Sequence, residues 1–112
     1  MDIRRKYNVP VWNGETGENS NGWAKYMARL MARYNIGWSW WTYKKVNQTS
    51  EACSIPEPAN YGKILDYVNG NGPPPSQTEA DTIMLTLANN SATSNCTWND
   101  GLIQSLFGVA GH

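Results

Sequence analysis

Apolar residues recur with a helical period over one long stretch of this sequence and with a strand-like pattern over two short ones. Trp23, Tyr26, Met27, Leu30, Met31 and Tyr34 follow at steps of three, one, three, one and three, a single stripe on a helix. Lys25, Arg29 and Arg33 stand four apart and fall on the wet side. Asn19, Ser20 or Asn21 can cap the start, and Asn35 and Gly37 suit the exit. Ahead of this helix, Tyr7 to Trp12 contains Val9, Val11 and Trp12 and reads as a short strand, with Pro10 interrupting the ladder at its own position. A polar loop, Asn13 to Asn21, joins the two. Behind the helix comes "IGWSWWTY", Ile36 to Tyr43, nearly apolar throughout. That is the pattern of a strand buried on both faces of a parallel sheet. Strand, helix and strand with short connections predict a βαβ unit with a right-handed crossover.

The second half reads as helical. After Lys44-Lys45 a polar loop runs to Pro58, which opens a helix to about Asn69 carrying Tyr61, Ile64, Leu65 and Val68 on one face. "GNGPPPS", Gly70 to Ser76, ends it. Ser76 and Glu79 have the spacing of a capping box, followed by a stripe of Ala80, Ile83, Met84, Leu87 and Ala88. A polar loop with Cys96 leads to Leu102, Ile103, Leu106 and Phe107, a last short helix stopped by Gly108. Two parallel strands alone leave open edges and bare apolar faces. The chain is therefore expected to be the tail of a larger α/β assembly, the alternative being a compact helical domain with a small sheet.

Composition narrows the partners. Nine basic and nine acidic side chains cancel over 112 residues, so no long-range field draws the chain to nucleic acid or an anionic membrane. No stretch approaches the roughly 18 apolar residues of a membrane span, and Met1 to Lys6 is charged with no apolar core behind it, unlike a signal peptide. Six Trp and six Tyr stand against one Phe. These rings pair an apolar face with a polar edge. That suits sugars, with their C–H faces and hydroxyl edges, and equally suits interfaces and cores. Cys53 and Cys96 lack zinc-site spacing; they form either one disulfide or two buried thiols. Three Asn-X-Ser/Thr sequons, at Asn47, Asn89 and Asn95, matter only in a eukaryotic secretory route.

In β/α architectures, the loops leaving the C-terminal ends of strands line the active face. Glu15 follows Trp12 by three residues, between Gly14 and Gly17, where the backbone can bend around a strand-end carboxylate. Glu18 lies near a helix N-terminus, where a carboxylate gains a little from the macrodipole. "VPVWNGETGENSNGWAKYM" followed by "NIGWSWWTYKKV" resembles the C-terminal end of glycoside hydrolase family 5, the cellulase-like retaining glycosidases. The likeness is specific from about Val9 to Val46, looser over Ala59 to Asn71, and weakest after Pro75.

The resemblance implies an α/β fold: strands seven and eight, with their helices, of a TIM (β/α)8 barrel, carrying extra C-terminal helices. Residues 1–72 would be the C-terminal β/α units and 73–112 a helical extension. Gly14-Glu15-Thr16-Gly17 matches the strand-seven motif, which makes Glu15 the nucleophile. "GWSWW" matches strand eight, with Trp41 the sugar platform. Alternation along that strand puts Ser39, Trp41 and Tyr43 on one side and Trp38, Trp40 and Thr42 on the other. Glu18, Asn19 and Lys44 are candidates for hydrogen bonds to sugar hydroxyls at the rim. Trp23 and Trp98 read as packing.

The family's acid/base, an Asn-Glu pair, has no counterpart before Glu15. Retaining hydrolysis needs two carboxyl groups roughly 5 Å apart, and Glu18 shares a loop with Glu15. The expected function is thus a retaining β-glucan hydrolase, an endoglucanase-like enzyme present as a fragment that is inactive alone. Its substrate is a β-glucan or oligosaccharide, it needs no metal or cofactor, and its structural partner is the missing N-terminal barrel segment. The full-length enzyme would be extracellular. A non-catalytic carbohydrate-binding module and a small structural domain are the alternatives. The genomic DNA ahead of Met1 is expected to hold an open frame for six further β/α units that include an Asn-Glu pair; a stop codon immediately upstream would contradict this.

Overall fold

The computed structural model describes residues 2–108; His112, to which the sequence assigns no role, lies outside them. Five α-helices, five strands and one 3-10 turn, Thr93–Asn95, are assigned among these residues. In chain order the helices and strands are α1 (Asp2–Tyr7), β1 (Trp12–Gly17), α2 (Asn21–Arg33), β2 (Gly37–Trp41), β3 (Lys44–Val46), β4 (Cys53–Ile55), α3 (Tyr61–Val68), α4 (Gln77–Asn90), β5 (Thr97–Trp98) and α5 (Asp100–Phe107). They fall into two compact units. One takes in the described residues through Tyr43, Ser50–Ala52 and those from Asn99 onward; the other takes in Lys44–Thr49 and Cys53–Trp98.

In the first unit β1 and β2 pair in parallel, joined through α2. The expected β, α, β order holds, but the first strand lies further along than its apolar pattern suggests. Tyr7 to Val11 stays outside the sheet, and the strand starts at Trp12 and runs through the polar motif to Gly17. Pro10 has no N–H for a ladder. The motif pairs instead: Trp12 lies opposite Gly37, and Gly17 opposite Trp41. The second strand is correspondingly shorter than Ile36 to Tyr43.

Helix α2 begins where one of three candidate caps falls: the Ser20 hydroxyl accepts the Trp23 N–H at 3.2 Å. Asn35, at φ 51°, turns the chain out beyond its end. The face it buries is rotated from the expected stripe. Ala24, Met27 and Ala28 are buried with Ala52 and with Leu102 and Leu106 of α5, and Met31, Trp38, Trp40 and Ile103 pack around them. Trp23, Tyr26 and Tyr34 are exposed. The reason is steric. Two alanines one turn apart let the leucines of α5 sit close to the α2 backbone, and bulky rings are displaced to the rim. Trp38 also stacks on Phe107, ring centroids 6.1 Å apart. One face of the two-stranded sheet is thereby covered, while Trp12 on the sheet remains 63% exposed.

In the second unit, the stretch read as a polar loop holds two short strands. β3 and β4 pair in parallel, and β5 adds to β4 antiparallel, with Cys53 opposite Trp98 and Ser54 opposite Thr97. Runs of two and three residues are too short for a periodic signal. Helix α3 starts later than Pro58 predicts because Asn60 takes a left-handed φ of 60°. Ser76 caps α4, accepting the Glu79 N–H at 3.2 Å, and the Glu79 carboxylate pairs with Lys63. That pair is exposed enough for its contribution to stability to be small.

Burial, followed by the adjacent Cys96 thiol, pushes the Cys53 thiol up to about 11 from 9.0, with the Lys44 ammonium pulling the other way. The folded state therefore holds the proton more tightly than the unfolded chain. This contribution is fully present below pH 9 and is lost as pH rises toward 11. Denaturant midpoints measured across that window should fall less steeply for Cys53→Ala than for the native chain. Replacing fully buried Leu102 by Ala should cost about 2–5 kcal/mol by urea denaturation.

Candidate functional site

The ladder between β1 and β2 contains one irregularity. Asn13 pairs with Trp38 and Thr16 with Trp40, so β1 takes three steps where β2 takes two. The additional residue places a bulge at Gly14–Glu15. A bulge bends its strand and re-aims the side chains it carries. The Ser39 hydroxyl donates a hydrogen bond to the Gly14 carbonyl, which gives the bulged backbone a partner on the facing strand. The neighbouring Thr16 is buried while Glu15 is exposed.

At the C-terminal ends of the two strands lies a shallow hollow of about 260 Å³, lined by Glu15, Thr16, Gly17, Glu18, Trp23 and Trp41. The nucleophile candidate and the platform candidate therefore border the same space. Their approach depends on Gly17. A β-carbon there would lie 1.9 Å from the Trp41 carbonyl oxygen, so only a residue without one allows the strands to close at this level. Trp41 is 52% exposed, whereas Trp38 and Trp40 pack against the core. This is the alternation expected of β2. Trp40 pays for its burial in one respect: its indole N–H is buried without a hydrogen-bond partner.

Beyond Trp41 the chain is fixed by a residue the sequence reading passed over. Glu51 is 2% exposed. Its carboxylate accepts the Thr42 backbone N–H at 3.0 Å and the Ser50 hydroxyl at 3.2 Å. The Trp41–Thr42 peptide bond is cis. A buried carboxylate is costly unless hydrogen-bonded, and here its bonds hold the backbone immediately after Trp41. Trp23 has a different place from the one its spacing suggests. As the first aromatic of a helical stripe it read as packing, yet it borders the hollow because α2 turns its alanines inward.

Of the three rim candidates, Asn19 and Lys44 do not line the hollow and Glu18 does. Asn19 is exposed and its side-chain oxygen accepts the Ser20 N–H at 2.8 Å; it does not line the hollow. Lys44 belongs to the second unit, where its ammonium donates to the Ser91 carbonyl at 2.7 Å and to the Thr93 hydroxyl at 3.4 Å. Glu18 lines the hollow from a left-handed backbone position, φ 53°. Among the described residues no group of three His, Cys, Asp or Glu side chains is placed to hold a metal ion, and no helix is long and apolar enough to cross a membrane.

Comparison with protein-family models, with curated proteins and with solved structures finds no match to the chain.

Gly17→Ala should force β1 and β2 apart at the hollow. The expected loss is about 1–3 kcal/mol, the usual range for overpacking, read as a lowered denaturation midpoint with a shift in tryptophan emission. An unchanged midpoint would show that the strands do not approach this closely.

Proposed function

We propose that the hollow is part of the active face of a retaining β-glycosidase, with Glu15 as nucleophile and Trp41 as the platform beneath the sugar ring. One observation carries the reading. A glycine-flanked carboxylate and an exposed indole meet at the C-terminal ends of two parallel strands, while the other two tryptophans of the same strand are turned into the core. Active faces of β/α barrels lie at that end of the strands.

The chemistry assigned to each group follows. The Glu15 carboxylate attacks the anomeric carbon as the glycosidic bond breaks, giving a glycosyl ester that water then hydrolyses. The Trp41 indole offers an apolar surface to the C–H face of the sugar, and Trp23 stands at the same rim. Glu18 is placed to accept hydrogen bonds from hydroxyls. The leaving oxygen needs a proton donor about 5 Å from Glu15. In this reading the donor comes from preceding β/α units, which also cover the sheet face on which Trp12 is exposed.

A second reading, a non-catalytic sugar-binding surface, is favoured by the exposure of Trp41 and Trp23 together at the hollow. Kinetics separate the two. This chain alone is expected to give no turnover on cellulose or mixed-linkage glucan. Joined to a complete barrel it should be active, and Glu15→Gln should then lower kcat by about a thousandfold or more with glucan binding retained. Activity that survives the substitution rejects Glu15 as nucleophile. Strong retardation of the isolated chain in glucan affinity gels, with no activity in any barrel context, favours the binding surface.

A further inference from the structure

We infer that Cys53 and Cys96 are a dithiol pair that a low-molecular-weight disulfide converts into an intramolecular disulfide. Both thiols are free in the structure. They belong to the second unit, remote in sequence from the Glu15 motif. Pairing of Cys53 with Trp98 and Ser54 with Thr97 brings Cys96, the residue before β5, alongside β4 on the diagonal from Cys53. Residues in that relation share a face of the ladder. The Cys96 side chain is also one of the neighbouring groups that raise the proton affinity of Cys53.

The surroundings distinguish the two sulfurs. Cys53 is fully buried, out of reach of an external reagent. Cys96 is half-buried, with its sulfur 3.4 Å from the Ala92 carbonyl oxygen and 3.6 Å from that of Asn90. Lys44 stands opposite Cys53 in the β3–β4 register and ties its ammonium to the Ser91 carbonyl, adding a positive charge beside the pair. The raised proton affinity of Cys53 fits the same division of roles, because the thiolate is the attacking species.

The reaction balances as ordinary thiol–disulfide exchange. The Cys96 thiolate attacks one sulfur of the external disulfide. That S–S bond breaks, the leaving thiolate takes up the proton Cys96 gave up, and a mixed disulfide remains on Cys96. Cys53 then loses its proton and attacks the Cys96 sulfur, expelling the second external thiol, which takes that proton. Two protein thiols are oxidised and one external disulfide is reduced to two thiols. The new bond encloses residues 54–95, including α3 and α4, and ties the segment after α4 to β4. Cross-links stabilise chiefly by restricting the unfolded chain, more so for long loops.

The test treats the purified chain with excess oxidised glutathione, blocks remaining thiols with N-ethylmaleimide and measures intact mass. Trypsin cleaves at Lys63, between the two cysteines, so linked peptides are diagnostic. The expected product has lost two hydrogens, takes no maleimide, gives a Cys53–Cys96 cross-linked peptide, and melts roughly 5–10 °C higher until dithiothreitol reverses it. Cys53→Ala should accumulate one glutathione on Cys96, and Cys96→Ala should leave Cys53 unmodified. Two maleimide adducts after prolonged oxidation, a stable glutathione adduct on the native chain, a disulfide-linked dimer, or an oxidised form that melts lower would each overturn the proposal. Faster modification of Cys53 than of Cys96 in the single variants would overturn the assigned order of attack.

Discussion

The parallel pairing of β1 with β2 is the constraint on which the candidate site depends. It has one bulge and one point of very close approach. The bulge at Gly14–Glu15 changes the phase of the strand, so that Thr16 is buried and Glu15 faces solvent. The close approach at Gly17 sets the end of β1 against the carbonyl of Trp41. Between them, the Ser39 hydroxyl bonds the bulged backbone from the facing strand. None of these is a contact between Glu15 and Trp41 themselves. The two are brought together by the backbone that carries them, a firmer arrangement than one held by flexible side chains.

That pairing is held in turn by what lies behind it. Trp38 and Trp40 anchor β2 in the cluster formed by α2 and α5, and Trp38 is fixed further by Phe107. Because side chains alternate along a strand, anchoring those two indoles on one face leaves Trp41 on the other. Glu51 then bonds the backbone just beyond Trp41. The orientation of Trp41 is thus a consequence of core packing on one side and of a buried carboxylate on the other. The second unit is organised more by polar contacts: Lys44 on the Ser91 carbonyl, Asn90 donating to the Pro56 carbonyl at 2.8 Å, and the Lys63–Glu79 pair.

Much of this was legible in the sequence, and the failures have definite causes. Helix α2, the Ser76 cap and the final helix before Gly108 carry strong local signals, and each forms where the pattern puts it. Val9 and Val11 look like strand formers, whereas the strand forms at Trp12–Gly17, where the backbone of a polar, glycine-rich segment that hydropathy does not mark finds its partner. The buried face of α2 departs from its hydropathy stripe because aromatic rings dominate the stripe, while Ala24 and Ala28 are what allow α5 to approach. Strands β3, β4 and β5 exist only by pairing with one another and have no period to read. Glu51 lies in a polar stretch between strands, and nothing local marks it as buried. The alternation that separates Trp41 from Trp38 and Trp40 was readable because it depends on the pleat alone.

The central claim is that Glu15 attacks a sugar held over Trp41. It is tested most directly by trapping the covalent intermediate. The chain, joined to a complete barrel, would be treated with a fluorinated cellobioside that forms the glycosyl-enzyme but releases it slowly, then digested and sequenced by mass spectrometry. The account predicts one glycosyl ester on the peptide containing Glu15, lost in Glu15→Gln and slowed in forming by Trp41→Ala. A label on another carboxylate of an active enzyme would contradict it.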